Sequence, residues 1–226
     1  MSNSTIRIPA PKEYLEACSS IRQPEFTHVD YTPVLDSPDD FDYNMRQNTL
    51  NRPTELFIVI TMYNESEVLL ARTLHASIEN IRQLCRSTLP RSWGPNGWMN
   101  AVICIIADGA SKINQRALKL LNVMGIYPDG FELSLVYDEK PVAGHLFQFT
   151  TQVSVDEHFR RYTYSDGIIP TQICFFLKEK NAKKINSHRW FFNAFGKKLN
   201  PNVCILLDVG TVPQPKAFFH LWRGNI

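Results

Sequence analysis

The chain has 226 residues, of which 44% are hydrophobic and 20% are charged, and it carries a formal net charge of +2. A chain of this length can bury a full hydrophobic core, as one large or two small domains. The small net charge argues against a general nucleic-acid-binding or membrane-surface protein.

No apolar run approaches the roughly 18–20 residues that a membrane span needs. The N-terminus is polar and lacks the apolar core of a signal peptide. The five cysteines include no pair with C-x-x-C spacing, so we expect reduced, buried thiols and not a zinc site. They are Cys18, Cys85, Cys104, Cys174 and Cys204.

Residues 1–52 are polar and contain five prolines, which break long elements. A short helix over 11–19 is predicted, with Pro11 in its first turn. The acidic stretch 36–42 is predicted to be a loop. We expect this segment to be an arm that wraps on the main domain or is partly disordered, with a domain boundary between residues 52 and 53.

From residue 53 onward, buried strands alternate with helices. Apolar runs predict strands at 55–61, 101–107, 132–137, 145–153, 171–177 and 203–207. Helices are predicted at 66–84, 111–124, about 185–195 and from 218, with a loop at 87–100 and an exposed polar segment at 156–167. This alternation is typical of an α/β fold with a mostly parallel sheet and helices on both faces, in which ligands bind at the carboxyl ends of the strands.

Three predicted strands end on residues that can carry chemistry. Tyr63 offers a ring that could stack on a base, and the carboxylates of Glu65 and Asp108 can accept hydrogen bonds from a base imide or from ribose hydroxyls. Asp208 follows five apolar residues, where a carboxylate can hold a divalent ion against a diphosphate. Each also has a plainer interpretation as a turn residue or a helix cap.

The segment 178–198 holds seven lysines and arginines against Glu179 alone, a net charge of +6. Cations such as Lys184 at a helix start oppose the helix dipole, and a bound anion would relieve this and receive free backbone N–H groups. A solvated basic loop is the alternative. The interleaved aromatic residues at 190–192 indicate that the helix is packed. His188 is a core histidine or a ligand.

Common catalytic and nucleotide-binding motifs do not occur: there is no G-x-G-x-x-G, P-loop, G-x-S-x-G or H-E-x-x-H sequence. With these residues in view, the chain resembles fungal chitin synthases, which are membrane enzymes of glycosyltransferase family 2. The matching stretches are Ile60-Thr61-Met62-Tyr63-Asn64-Glu65, Asp108-Gly109, Ser111-Lys112-Ile113-Asn114, Phe149-Thr150-Thr151-Gln152, Leu177-Lys178-Glu179-Lys180-Asn181, 183–195 and 201–211.

The resemblance implies a glycosyltransferase-A fold, incomplete at the C-terminus, with Mn²⁺ or Mg²⁺ as cofactor. It implies transfer of N-acetylglucosamine from UDP-N-acetylglucosamine to a growing β-1,4 chitin chain, in cell wall or septum biogenesis at the cytoplasmic face of the plasma membrane. The site residues that it implies are Thr61, Tyr63, Glu65 and Asp108 for uridine, Lys184 and Arg189 for the diphosphate, and Asp208 for the metal.

The sequence departs from the family pattern in two ways. Ala110 and Val212 stand where the family usually has basic residues. The family's Glu-Asp pair that supplies the general base, its Gln-Arg-Arg-Arg-Trp motif and its membrane helices are not found. We therefore expect a truncated donor-binding part, inactive alone and without a catalytic residue of its own.

The resemblance leaves open a non-catalytic fragment that binds a UDP-sugar or assembles with a full-length synthase. A homodimer is also compatible with the sequence. In the full-length family, membrane attachment depends on segments not found in this sequence. Nucleic-acid binding through the basic segment is disfavoured, because its aromatic residues are predicted to be buried and the rest of the chain is net acidic.

Overall fold

A computed structural model describes residues 5–18, 23–86, 93–128 and 130–224. Within these residues the strands are β1 (Ile6–Pro9), β2 (His28–Val34), β3 (Leu56–Met62), β4 (Ala101–Ala107), β5 (Val136–Tyr137), β6 (Lys140–Pro141), β7 (Gly144–Thr151), β8 (Ser154–Val155), β9 (Arg161–Tyr162), β10 (Thr171–Lys178) and β11 (Val203–Asp208). The helices are α1 (Lys12–Ala17), α2 (Pro24–Thr27), α3 (Arg46–Thr49), α4 (Glu67–Arg86), α5 (Gln115–Val123), α6 (Lys183–Arg189), α7 (Lys197–Leu199) and α8 (Ala217–Arg223).

Seven of these strands form one sheet in the order β1-β2-β7-β10-β4-β3-β11 among the described residues. The neighbours β10, β4, β3 and β11 pair in parallel, whereas β7 runs antiparallel to both β10 and β2. Five of the seven strands therefore point the same way, and the predicted α/β fold with a mostly parallel sheet is confirmed.

The central strands are apolar throughout because both faces of the sheet are covered. Every residue of β3 and of β4 is buried. Alternate side chains enter two cores, one under α4 and α5 and the other under the helical segment 183–199. The predicted strands at 55–61, 101–107, 145–153, 171–177 and 203–207 are confirmed, as is the helix at 66–84.

The N-terminal segment is less irregular than its composition predicts. The short helix near 11–19 and the loop at 36–42 are confirmed, but β2 lies inside the central sheet between β1 and β7. Pro33 lacks an N–H, yet it is tolerated in β2 because β1 pairs with β2 only as far as Tyr31. Tertiary pairing therefore orders a sequence whose local signals predict loops.

Several helices, strands and loops differ in extent between the sequence prediction and the structure. The predicted strand at 132–137 is wrong beyond the two residues of β5, which form an isolated ladder with β6. Helix α5 starts only at Gln115, because the Asn114 side chain accepts a hydrogen bond from the Arg116 amide and caps it. Within the segment predicted to be exposed, Asp156 is buried. Residues 87–92 of the predicted loop at 87–100 lie outside the described residues.

The predicted basic helix is one continuous helical segment with a change of winding. A π-helical stretch at Trp190–Gly196 lies between α6 and α7. Trp190 and Phe191 are buried against the sheet, which confirms a packed helix, but Phe192 is half-exposed. Ile185, an apolar residue of the same segment, is 77% exposed. The wider π turn shifts which side chains meet the sheet.

Candidate functional site

A cleft of about 420 Å³ opens at the carboxyl edge of the parallel strands. The parallel register places Thr61 beside Asp208, and Ala107 beside both Met62 and Leu177, so four strand ends meet there. Six of the seven predicted site residues line this cleft, which is bounded by Thr61, Met62, Tyr63, Glu65, Asp108, Asn181, Lys183, Lys184, Ser187 and Asp208.

Asp208 ends β11 and is held by donors from two other elements. Its Oδ1 accepts a hydrogen bond from Thr61 Oγ1 at 2.8 Å, and its Oδ2 accepts one from Lys184 Nζ at 2.6 Å. The Lys184 ammonium, and then the Thr61 hydroxyl, hold the pKa of Asp208 below its ordinary value. The carboxylate is 57% exposed, so it is an ionised group that solvent and ligands can reach.

Asp108 follows β4 and forms a buried ion pair on the floor of the cleft. Its Oδ1 accepts hydrogen bonds from Lys178 Nζ at 2.7 Å and from the Ala182 amide at 2.9 Å. Burial lowers the pKa of Lys178, and Asp108 offsets part of that effect. These two donors therefore hold Asp108, the carboxylate predicted to contact a base, in a fixed position.

Sequence reasoning missed Lys178 as a site residue, although a signal was available. Lys178 is the last residue of a buried strand, and a lysine there needs a counter-charge. The register pairs Leu177 with Ala107, so the next residues along, Lys178 and Asp108, leave the sheet side by side. Asn181 and Ser187 were missed as well.

Tyr63 and Glu65 form the short turn between β3 and α4. Glu65 Oε2 accepts a hydrogen bond from the Tyr63 amide at 2.6 Å, which closes the turn. Glu65 is therefore a turn residue that also lines the cleft, and it does not cap α4, because the Leu69 amide of that helix donates to Ser66 Oγ at 3.4 Å. The Tyr63 ring is half-buried at the cleft wall, where a base could stack on it.

The turn before α6 brings two lysines to the cleft. Asn181 Oδ1 accepts a hydrogen bond from the Lys183 amide at 3.1 Å, and Lys183 has a left-handed backbone with φ of 66°. Gly109 allows this turn to approach: it has φ of +110°, and a Cβ there would lie 3.3 Å from the Asn181 nitrogen.

Arg189 is the predicted site residue that the structure does not bring to the cleft. Its guanidinium donates to Asp39 of the 36–42 loop, and Asn193 Nδ2 donates to the same carboxylate at 2.6 Å. Arg189 lies five positions after Lys184 on the helix, which turns the two side chains to different faces. His188 is half-buried and close enough to Asp208 to interact with its carboxylate electrostatically.

The concentrated positive charge of segment 178–198 is largely matched within the molecule. Four of its seven cations form ion pairs with carboxylates from distant parts of the chain: Lys178 with Asp108, Lys184 with Asp208, Arg189 with Asp39, and Lys198 with Asp42. Ion pairing of this kind leaves less free charge for a polyanion. The alternative of nucleic-acid binding is weakened accordingly.

Asp208 is the carboxylate of this cleft that we consider as a ligand for a divalent ion, because its side chain is exposed. Among the described residues no cluster of three or more His, Cys, Asp or Glu side chains has a metal-binding arrangement. Mg²⁺ is commonly held by only one or two carboxylates together with substrate phosphates and water. Asp208 therefore fits such an ion when a diphosphate supplies further oxygen ligands.

Comparison with protein families agrees with this geometry. The family model described as a chitin synthase-like glycosyltransferase domain matches residues 56–224, and that described as chitin synthase N-terminal matches residues 2–55.

The chain belongs to the chitin synthase family.

A curated member of the family, "Chitin synthase 2" from Rhizopus oligosporus, is 49% identical over 226 residues. The alignment covers 98% of this chain but 26% of that relative, so the chain spans about a quarter of the length of the synthase it matches. In the part of the chain that the structure describes, no helix has the length and apolar character needed to cross a bilayer.

Proposed function

We propose that this chain is the donor-binding part of a chitin synthase and that its cleft binds UDP-N-acetylglucosamine. One observation carries the proposal: three carboxylates (two aspartates and a glutamate), two lysines and a tyrosine line one cleft, at or after the ends of four neighbouring strands. Ligands of α/β sheets bind at this edge. A nucleoside diphosphate has a base, a ribose and two phosphates that match these groups.

Each part of the nucleotide has a proposed partner. The uridine contacts Tyr63, Glu65 and Asp108, with Thr61 beside them. Lys183 and Lys184 face the diphosphate, as compact positive charges suited to phosphate oxygens. Arg189 has no part in this proposal, because it pairs with Asp39.

A divalent ion, Mn²⁺ or Mg²⁺, is proposed to bind Asp208 together with the diphosphate. Bound there, it would neutralise charge that develops on the leaving UDP. Thr61 orients the Asp208 carboxylate through its hydroxyl. Lys184 is within 2.6 Å of Asp208, so it is placed to move from the carboxylate to a phosphate oxygen when the ion binds.

Calorimetric titration of the chain with UDP and Mn²⁺ tests this proposal. Lys184→Ala is expected to weaken binding by about tenfold or more, the effect of losing one charge-assisted hydrogen bond. Lys198→Ala is the matched control, since Lys198 is on the same helical segment and also forms an ion pair, with Asp42. Equal affinity in the two variants, or no binding by the wild-type chain, would count against the proposal.

Asp208→Ala separates the ion from the nucleotide. The Mn²⁺-dependent part of UDP affinity is expected to disappear in this variant, while binding measured with EDTA present changes little. Asp42→Ala is its control at an exposed carboxylate away from the cleft. A Mn²⁺ dependence that survives in Asp208→Ala would remove the metal role from Asp208.

The proposal assigns donor binding to this chain, and the transfer of N-acetylglucosamine to chitin to a chitin synthase of which this chain is one part. Residues 209–226 contain no Asp or Glu, so no carboxylate base follows Asp208 in this sequence. The chain is therefore expected to bind the donor but not to incorporate labelled N-acetylglucosamine into insoluble polymer. Robust incorporation by the chain alone would overturn the expectation that it is inactive. The alternative of a non-catalytic fragment that binds a UDP-sugar also predicts donor binding without turnover.

A further inference from the structure

A buried chain of hydrogen bonds lies behind the cleft, outside the residues that line it. His145, at the start of β7, is fully buried, and its Nε2 lies 2.5 Å from Glu179 Oε1. Its Nδ1 lies 2.9 Å from the hydroxyl of Tyr31 in β2, which is also buried. The three residues come from different strands or strand ends, and Glu179 follows the last residue of β10.

The partners define the protonation of His145. A carboxylate only accepts, so Nε2 must carry a hydrogen that it donates to Glu179. In a neutral ring Nδ1 is then an acceptor, and the Tyr31 hydroxyl donates to it. Burial lowers the pKa of His145, while Glu179 opposes that effect, which agrees with a neutral imidazole at pH 7. Every polar atom of the ring is thereby satisfied.

Glu179 belongs to the turn that carries the cleft lysines. We use the name 178–184 loop for the stretch that runs from the last residue of β10, through the connecting turn, to the start of α6. On its cleft side this loop is attached to Asp108, through Lys178 Nζ and the Ala182 amide. On its opposite side it is attached to the start of β7, through the Glu179 amide to the Ala143 carbonyl at 3.1 Å and through the Glu179 side chain to His145.

We infer that Glu179, held by His145 and Tyr31, is a positioning residue that fixes the 178–184 loop and thereby places Lys183 and Lys184 in the cleft. The inference rests on the function proposed above, because the position of the two lysines affects binding only if the cleft takes a nucleotide. Without the Glu179 side chain, the side of the loop away from Asp108 would keep only the backbone bond from the Glu179 amide to the Ala143 carbonyl among the attachments described above. The lysines carry flexible side chains, so their average position depends on the backbone that bears them.

The first test needs no nucleotide. Hydrogen exchange of the free chain, read by mass spectrometry, is expected to show faster exchange of amides 180–184 in Glu179→Ala than in the wild type. Peptides from β3 and β4 are the internal reference for global stability. Glu179→Gln keeps an acceptor oxygen for His145 Nε2 and is expected to restore most of the protection. Unchanged exchange at 180–184 in Glu179→Ala would overturn the inference.

The second test measures UDP affinity in the same variants. Glu179→Ala is expected to bind UDP about tenfold more weakly, and Glu179→Gln within about threefold of the wild type. His75→Ala is the matched control: His75 bonds Ser154 Oγ at 2.8 Å and stacks on Tyr162, away from the cleft. It is expected to retain wild-type affinity.

The outcomes separate the two proposals. If the wild-type chain binds no UDP, the proposed nucleotide site fails, while the exchange experiment still decides whether Glu179 fixes the loop. If the wild type binds UDP and Glu179→Ala binds it equally well, the positioning role alone is overturned. An equal loss in Glu179→Ala and His75→Ala would assign the effect to general destabilisation and would also overturn it.

Discussion

At the scale of single residues, the cleft depends on carboxylates whose partners come from elsewhere in the sequence. Asp108 and Lys178 illustrate the energetic consequence. Both side chains are almost fully buried, and a charge left alone in such a place is strongly unfavourable, whereas a well-paired one is tolerated. The pair therefore acts as a unit, and its members cannot be replaced independently.

Lys178→Met is expected to lower the free energy of unfolding by about 3–5 kcal/mol, because it leaves the Asp108 carboxylate buried without its counter-charge. The double variant Asp108→Asn/Lys178→Met is expected to lose less than the sum of the two single changes. Urea denaturation of the four chains measures this. Additive losses would show that the two side chains do not interact.

The surroundings of Asp30 indicate that the free energy of unfolding depends on pH. Burial alone would raise its pKa, but Arg46 Nε at 2.7 Å and then Arg7 Nε at 3.1 Å outweigh burial and lower it. A carboxyl group whose pKa is lower in the folded chain stabilises the fold above its unfolded pKa, about 3.9, and that contribution is lost as the pH falls through the folded value.

The melting temperature of the wild type should therefore fall more steeply than that of Asp30→Asn between about pH 5 and pH 3. Asp138→Asn, at an exposed turn position with φ of 52°, is the control and should follow the wild type. Differential scanning calorimetry across this range makes the comparison. Parallel curves for the wild type and Asp30→Asn would contradict the prediction.

At the scale of elements, the 36–42 loop is docked on the helical segment that bears the cleft lysines. Its acidic side chains pair with Arg189 and Lys198, but these contacts are exposed, and exposed ion pairs contribute little. Phe41, near the end of the loop, is buried and packs edge-on against Trp190 and Phe195. We expect this aromatic contact to provide most of the docking energy.

Phe41→Ala is expected to lower the free energy of unfolding by about 3–5 kcal/mol, the usual cost of deleting a buried phenyl ring. Asp39→Ala, which removes the partner of Arg189 and Asn193, is expected to change it little. Thermal and urea denaturation of both variants give the two values. A larger loss in Asp39→Ala than in Phe41→Ala would show that charge, and not packing, docks the loop.

At the scale of the whole molecule, the N-terminal segment is part of the sheet. β2 pairs with β7 from Asp30 to Val34, and the arginine of helix α3 contacts Asp30 of β2. Val29 and Tyr31 enter the same core as β3 and β4. Removing this segment would expose the edge of β7 and part of that core to water.

A chain that lacks residues 1–34 is therefore expected not to fold to a stable monomer. A chain that lacks residues 1–9 loses only the edge strand β1 and is expected to stay folded with a lower melting temperature. Circular dichroism, thermal melts and size-exclusion chromatography distinguish the two. A cooperative melt of the shorter chain near the wild-type temperature would contradict this prediction.

Much of the fold could be predicted because its signals are local. Continuous apolar runs such as β3 and β4 predict buried parallel strands, and the helical spacing of α4 is regular. The carboxyl ends of parallel strands lie at one edge of the sheet, so Glu65, Asp108 and Asp208 could be assigned to one site. The acidic loop at 36–42 and the packed aromatic helix also follow from residue types alone.

Tertiary structure decided what depends on residues far apart in the sequence. β2 is a strand because β7 pairs with it, and Asp156 is buried because backbone and side-chain donors surround it. Helical geometry turns Arg189 away from Lys184 and towards Asp39. The sequence by itself determined which chemical groups lie at the carboxyl ends of the strands. Only the fold decided which of the predicted residues reach the cleft and which are paired, because ion pairs form between whichever charges the packing brings together.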